Sequence, residues 1–305
     1  MPADYSRMKP EERLQWETWD REYNRWRNQV FIVLWITYGA FYLCRVNFSI
    51  AIPGIMKEFG WSKTQLGAIG TALFWAYAAG QFIHGQFAER FSSKHYLFTV
   101  IILSALMNFL MGPVAAVGIG LMGIIWTLNG FFQAGGWSNC IKTLSQWFPP
   151  KARGKRMGYY GACYQVGNTL SWLLAGSVIA SYGWRAGFWI PALIFAAIGF
   201  LPLLLLKNRP EEVNLPPIEV YEQYGEFTGM TVEQIKAKIK PKKEKEEHAG
   251  FAFTLKQTVG NPRVWAVSWA FFCVDIIRYG FLLWAPTYLF EVQKAAIDKT
   301  AYKVV

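Results

Sequence analysis

The chain has 305 residues, of which 53% are hydrophobic, 17% aromatic and only 17% charged. That balance speaks against a soluble domain and fits an integral membrane protein. The net charge of +11 would suggest nucleic acid in a soluble chain, but here the basic residues collect between apolar runs, where they report topology and not a nucleic-acid surface.

Residues 1–28 are charged throughout, which argues against a secretory signal. Trp16, Trp19, Tyr23 and Trp26 recur at spacings of three and four. The spacing predicts an amphipathic helix on the cytoplasmic membrane interface, with a solvated tail as the alternative. Seven apolar segments then follow, over 29–52, 64–88, 96–113, 118–147, 157–180, 185–206 and 264–290. Each approaches the ~20 residues that a helix needs to cross a hydrocarbon core. Basic clusters fall in alternate connections, at Arg90 and Lys94 and again at Lys151, Arg153, Lys155 and Arg156. The alternation places the N-terminus in the cytoplasm. After the sixth segment, residues 208–261 are polar, with Pro210, Pro216 and Pro217 near the start and a run of mixed charge over 236–248. No core can form from such a stretch, so it reads as a cytoplasmic linker. The expected architecture is all-α and membrane-embedded. It comprises an N-terminal segment (1–28), a six-helix bundle (29–207), the linker (208–261) and the first helix of a second half (262–305) that looks truncated.

Two membrane-embedded arginines occupy matching frames. Arg45 is followed eight positions on by Pro53 and five further by Glu58; Arg278, Pro286 and Glu291 repeat the pattern. Arginine at bilayer depth costs ~2.5–3.5 kcal/mol on the insertion scale, so it faces an interior path or site. Repetition suggests two related halves, each offering one cation to a shared site that takes an anion. A fixed guanidinium fork suits phosphate oxygens. Asp275 stands three residues before Arg278, on the same helical face, at the frame position of Tyr42. Two readings stay open for it: a fixed salt bridge orienting Arg278, or a titratable group coupling protons to solute movement. Gly154, Gly158 and Gly161 have the spacing of a helix-packing face. His84 and Lys142 lie near helix ends, as an interfacial histidine and a snorkelling lysine. Cys44, Cys140, Cys163 and Cys273 have no metal-ligand spacing, and no nucleophile motif or phosphate-binding glycine loop is present. The sequence therefore suggests no enzyme, no metal and no cofactor.

Gly85, Glu89, Arg90 and Lys94 form a Gly-x-x-x-acid-Arg-x-x-x-basic pattern between the second and third spans. It resembles the conformational loop signature of the major facilitator superfamily. Tyr42–Phe48 (YLCRVNF), Gln133–Lys142 (QAGGWSNCIK), Asn214–Tyr221 (NLPPIEVY) and Arg278–Leu289 (RYGFLLWAPTYL) together resemble its organophosphate/phosphate antiporter family. The resemblance implies that Arg45 and Arg278 clamp the phosphate of a small anionic solute during alternating access in the bilayer, with the full-length protein a monomer. In the glycerol-3-phosphate branch a lysine stands in the place of Gln81 and a histidine in that of Tyr164, so those two positions point away from that substrate. They keep hydrogen-bonding capacity, and Tyr164 is equally readable as packing. The expected function is exchange of a sugar- or glycerol-phosphate-class compound for inorganic phosphate. The alternatives are a transporter-like sugar-phosphate sensor and a sugar-acid carrier. A seven-helix receptor conflicts with the cytoplasmic N-terminus, the long linker and the arginine repeat.

Overall fold

A computed structural model describes residues 10–218, 221 and 256–292. The run of mixed charge at 236–248 and the first nine residues of the N-terminal segment lie outside them. The α-helices are α1 (Pro10–Ala40), α2 (Asn47–Phe59), α3 (Lys63–Arg90), α4 (Ser93–Ala115), α5 (Ile119–Trp147), α6 (Pro150–Tyr182), α7 (Ala186–Leu205) and α8 (Pro262–Glu291). Stretches within α1–α2, α3, α4, α7 and α8 are long and apolar enough to cross a membrane. α5 and α6 have the length but carry polar residues such as Asn129, Gln133 and Asn168 within the apolar run.

Local chemistry sets the boundaries. α2 ends on Gly60, whose φ of 69° is left-handed and free of a Cβ penalty. α3 opens on a capping box in which Ser62 Oγ accepts from the Gln65 amide at 3.3 Å and Gln65 Oε1 accepts from the Ser62 amide at 2.8 Å. Proline takes the first turn of both α6 and α8, where its missing N–H costs nothing.

The span expected over 29–52 is not one helix. α1 stops at Ala40, Phe41–Cys44 form a single 3-10 turn, and α2 starts at Asn47. Irregular backbone at membrane depth must be satisfied by protein groups, and polar side chains supply them. The Cys44 carbonyl accepts from Asn108 Nδ2 (3.1 Å), Asn129 Nδ2 (2.9 Å) and Gln133 Nε2 (2.7 Å). The Tyr42 carbonyl accepts from Ser171 Oγ at 2.7 Å. Around the break lies the aromatic core, with Phe48 stacked on Trp126 and Phe41 edge-on to Phe195.

α5 lies between α3 and α4, α4 also packs on α7, and α1 rests on α6 and α7. Two crossings are close enough to require glycine. A Cβ on Gly167 would sit 2.4 Å from the Gly39 carbonyl, and one on Gly130 would sit 2.4 Å from the Leu73 carbonyl. Among the described residues nothing lies within 4 Å of a Cβ built at Gly154, Gly158 or Gly161, so no described helix uses that face.

No break separates residues 10–28 from the first span, since α1 continues through both. Its early turns hold the chain that follows α7. Tyr23 Oη donates to the Pro216 carbonyl, and Tyr221 Oη bonds Asp20. The Arg27 guanidinium lies over the rings of Tyr23 and Tyr221, at 4.7 and 4.8 Å, while Arg27 Nε donates to the Trp147 carbonyl at 2.8 Å. Burial, reinforced by Asp20, pushes the Tyr221 hydroxyl above its ordinary range.

α8 docks on this half through its second part only. Tyr279 packs on Phe74, Leu283 and Trp284 lie over Gly70 and Gly67 of α3, and Glu291 pairs with Lys63. Residues 262–274 of α8 are exposed throughout.

Candidate functional site

Arg45 projects from the break between α1 and α2 and is only 7% exposed. Its Nε donates to Gln133 Oε1 at 2.7 Å. Its guanidinium lies over two tyrosine rings, Tyr42 at 5.0 Å and Tyr77 at 4.8 Å. These contacts recover part of the desolvation cost, since an aromatic face is negative. They leave Nη2 buried without a hydrogen-bond partner. Among the described residues no carboxylate pairs with Arg45.

Arg278, on α8, reaches the same place from the other side. Its Nη2 donates to the Tyr42 hydroxyl at 3.2 Å, and its guanidinium carbon is 6.0 Å from the Tyr164 ring and 5.5 Å from that of Tyr279. Tyr42 thus offers its ring face to one arginine and its oxygen to the other. Asp275 Oδ1 is 4.0 Å from Arg278 Nη1, at the outer limit of an ion pair, with the two side chains 43% and 32% exposed. In solvent such a pair contributes little, so Arg278 keeps most of its capacity for an anion.

Arg45, Tyr42, Tyr164, Arg278 and Asp275 are therefore gathered in one place. Gln81 stands one turn beyond Tyr77 on α3 and makes no hydrogen bond among the described residues. The Gly85–Lys94 pattern is helical through Arg90, so the connection between α3 and α4 is only Phe91 and Ser92. A two-residue turn replaces the expected loop, and the Glu89 side chain lies outside the described ones. His84 is buried between Tyr96 Oη and the Phe131 carbonyl, and Lys142 Nζ donates to the Ala88 and Phe91 carbonyls.

Tyr77, Gln133 and Tyr279 contact the two arginines but were not singled out from sequence. Gln133 had a readable signal. Asn129 and Gln133 lie four apart in an apolar helix, as do Ser104 and Asn108 in α4, so each pair marks one polar stripe. The stripes meet where Ser104 Oγ donates to Asn129 Oδ1 at 2.6 Å. The remaining cavity beside Arg45, Phe74, Trp126 and Tyr279 is about 30 Å³. That volume admits about one or two waters.

A helical membrane bundle with a broken first span, and with cations from two repeat-related segments converging on one tyrosine, defines a two-halved integral membrane protein. The chain belongs to the Major Facilitator Superfamily, whose profile matches residues 34–301. It is 34% identical over 286 residues to the glycerol-3-phosphate transporter of Bacillus subtilis (strain 168), covering 92% of this chain and 62% of that protein. It is 28% identical over 279 residues to a probable hexose phosphate transport protein of Chlamydia muridarum (strain MoPn / Nigg), covering 92% and 60%. Among solved structures it superposes, with a TM-score of 0.69 at 18% identity, on a bacterial homolog of the human lysosomal transporter Spinster, over 91% of this chain and 58% of that one. The chain thus spans about three-fifths of the length of the relatives it matches.

Proposed function

We propose that this chain supplies the first half and the opening helix of a secondary carrier. The carrier exchanges an organic phosphate, of the sugar- or glycerol-phosphate class, for inorganic phosphate. The observation that carries the reading is the meeting of Arg45 and Arg278 at Tyr42, with no carboxylate paired to Arg45 among the described residues. The names of the two curated relatives support the substrate class. Gln81 and Tyr164, in the places of a lysine and a histidine, favour a sugar phosphate over glycerol 3-phosphate.

The chemistry follows from charge. In the empty site two guanidinium groups repel across one tyrosine, and a phosphate dianion held by both removes that repulsion. Ligand therefore lowers the cost of bringing the halves together, and an empty carrier reorients slowly, which enforces exchange. The alternation of basic connections supports a cytoplasmic N-terminus. The contacts of α8 near Lys63 then correspond to a cleft closed on the outer side.

The test is counterflow of radiolabelled phosphate in vesicles bearing a chain with a complete second half, beside Arg45→Lys and Arg278→Lys. Exchange that collapses in both variants supports the paired-arginine site. No phosphate exchange in the unmutated carrier sinks the reading, leaving a sugar-acid carrier if organic anions still move or a sensor if ligand binds without exchanging. Asp275→Asn addresses proton coupling, since uptake that keeps its response to an imposed pH gradient rules Asp275 out as the coupling group.

A further inference from the structure

Away from the arginines, the turn between α3 and α4, the end of α5 and the chain after α7 enclose a polar crevice of about 240 Å³. Arg90, Lys142 and Arg209 line it, with Glu212 as the one acid in its lining. Its wall includes the first turn of α4, a 23-residue helix whose leading amides have no partner within the helix. Among the described residues one of them is met by a side chain, the Lys94 amide donating to Asn208 Oδ1 at 3.0 Å. Ser92, at the cap position, makes no capping bond.

The crevice is built and not merely open. Asn208 is fixed by Ser92 Oγ at 3.1 Å and by Glu212 Oε1 at 2.8 Å. Glu212 is thereby committed to an amide, and among the described residues it pairs with neither Arg90 nor Arg209. A second observation also points to a ligand. Ser93, in the first turn of α4 and part of the crevice wall, is 1% exposed, and its Oγ has no hydrogen-bond partner. An unpaired buried hydroxyl costs about 1–3 kcal/mol, and an acceptor in the crevice would remove that cost.

We propose that this crevice is a second anion site that takes a phosphate group, from inorganic phosphate or from the headgroup of an acidic lipid. A helix N-terminus supplies amides and a favourable dipole, the two arginines supply forked donors, and Ser93 supplies a buried hydroxyl. A phosphate presents several oxygens at once and so engages all three kinds of donor. The site lies wholly within residues 90–212 and does not depend on the carrier reading of the arginine cleft.

The test uses this chain carrying Arg278→Gln, so that the cleft is already disabled, in phosphatidylcholine nanodiscs. Binding of radiolabelled inorganic phosphate is measured directly. Retention of phosphatidylglycerol, doped into parallel discs, is counted by native mass spectrometry. One of the two is expected to bind, and Arg209→Gln is expected to weaken it about 30-fold, as for the loss of one charge-assisted hydrogen bond. Ser93→Ala weakens it by a smaller factor. Saturable phosphate binding that the lipid does not displace identifies the free anion. Lipid retention indifferent to added phosphate identifies the headgroup. Association of neither above the phosphatidylcholine background overturns the proposal. So does binding unchanged in both variants, provided circular dichroism shows each to be folded.

Discussion

Gln133→Leu removes two short hydrogen bonds at once, besides longer contacts of Nε2 to the Phe41 carbonyl, Ser104 Oγ and Asn129 Oδ1, and the structure separates the consequences of the two. One is donation to the Cys44 carbonyl at 2.7 Å, but that oxygen still receives Asn129 at 2.9 Å and Asn108 at 3.1 Å. The helix break therefore keeps its acceptor satisfied. The other is acceptance from Arg45 Nε at 2.7 Å, and nothing else described bonds that nitrogen. A charge-assisted hydrogen bond of this kind contributes about 2 kcal/mol, or ~30-fold in an equilibrium constant. The loss falls on the orientation of the guanidinium, so the half-saturation for phosphate in counterflow is expected to rise by roughly that factor. Gln133→Glu provides the contrast. A carboxylate in the same place pairs with Arg45 and neutralises it, so anion binding is lost while the fold survives. Phosphate affinity unchanged in Gln133→Leu, with only the unfolding temperature lowered, would show Gln133 to be scaffold and refute the positioning argument.

Tyr42→Phe keeps the ring beneath Arg45 and deletes only the hydroxyl that holds Arg278 at 3.2 Å. Phosphate affinity should fall by about fivefold, for ~1 kcal/mol, whereas Tyr42→Ala should cost more because the ring contact goes too. Gly167→Ala drives a methyl to 2.4 Å from the Gly39 carbonyl and should destabilise the bundle by about 1–3 kcal/mol. Gly158→Ala, with open space around its Cβ, should leave the thermal unfolding midpoint in detergent unchanged. Cysteines placed at Lys63 and Glu291, which form an ion pair, should be joined by a short bifunctional reagent in membranes. Failure to crosslink would contradict the docking of α8 on α3.

The arginine frame and the helical character of the apolar segments were legible because each is a local property of the sequence. The broken first span was not. YLCRVNF lies within an apolar stretch, and the groups that make its break tolerable, Asn108, Asn129 and Gln133, are 64 to 89 residues away from Cys44. Spacing alone also does not say which glycines are in contact: Gly39 and Gly167 meet across α1 and α6, while Gly154, Gly158 and Gly161 face no helix among the described residues. The repeat shows the same limit. Glu58 and Glu291 are equivalent in sequence, yet Glu58 is held by Arg185 and Trp184 within the first half, and Glu291 reaches from α8 to Lys63. A motif fixes which residue stands at a position, while its partner depends on what the rest of the chain brings near.

The two glycines beneath Leu283 and Trp284 give α8 a fulcrum. A side chain at Gly67 or Gly70 would meet those residues at 3.0 and 3.2 Å, so the helix rests in a notch close to one end. From Leu283 back to Pro262 is about 32 Å at the 1.5 Å rise of an α-helix. A tilt of about 10° in the notch therefore carries the far end by about 5 Å, while the contacts at the notch slide by less than the width of an atom. Arg278 lies on the same arm but only five residues from that pivot, so the tilt carries it by about 1 Å. The cation can thus stay beside Tyr42 while the long arm sweeps, which separates holding an ion from opening a way to it.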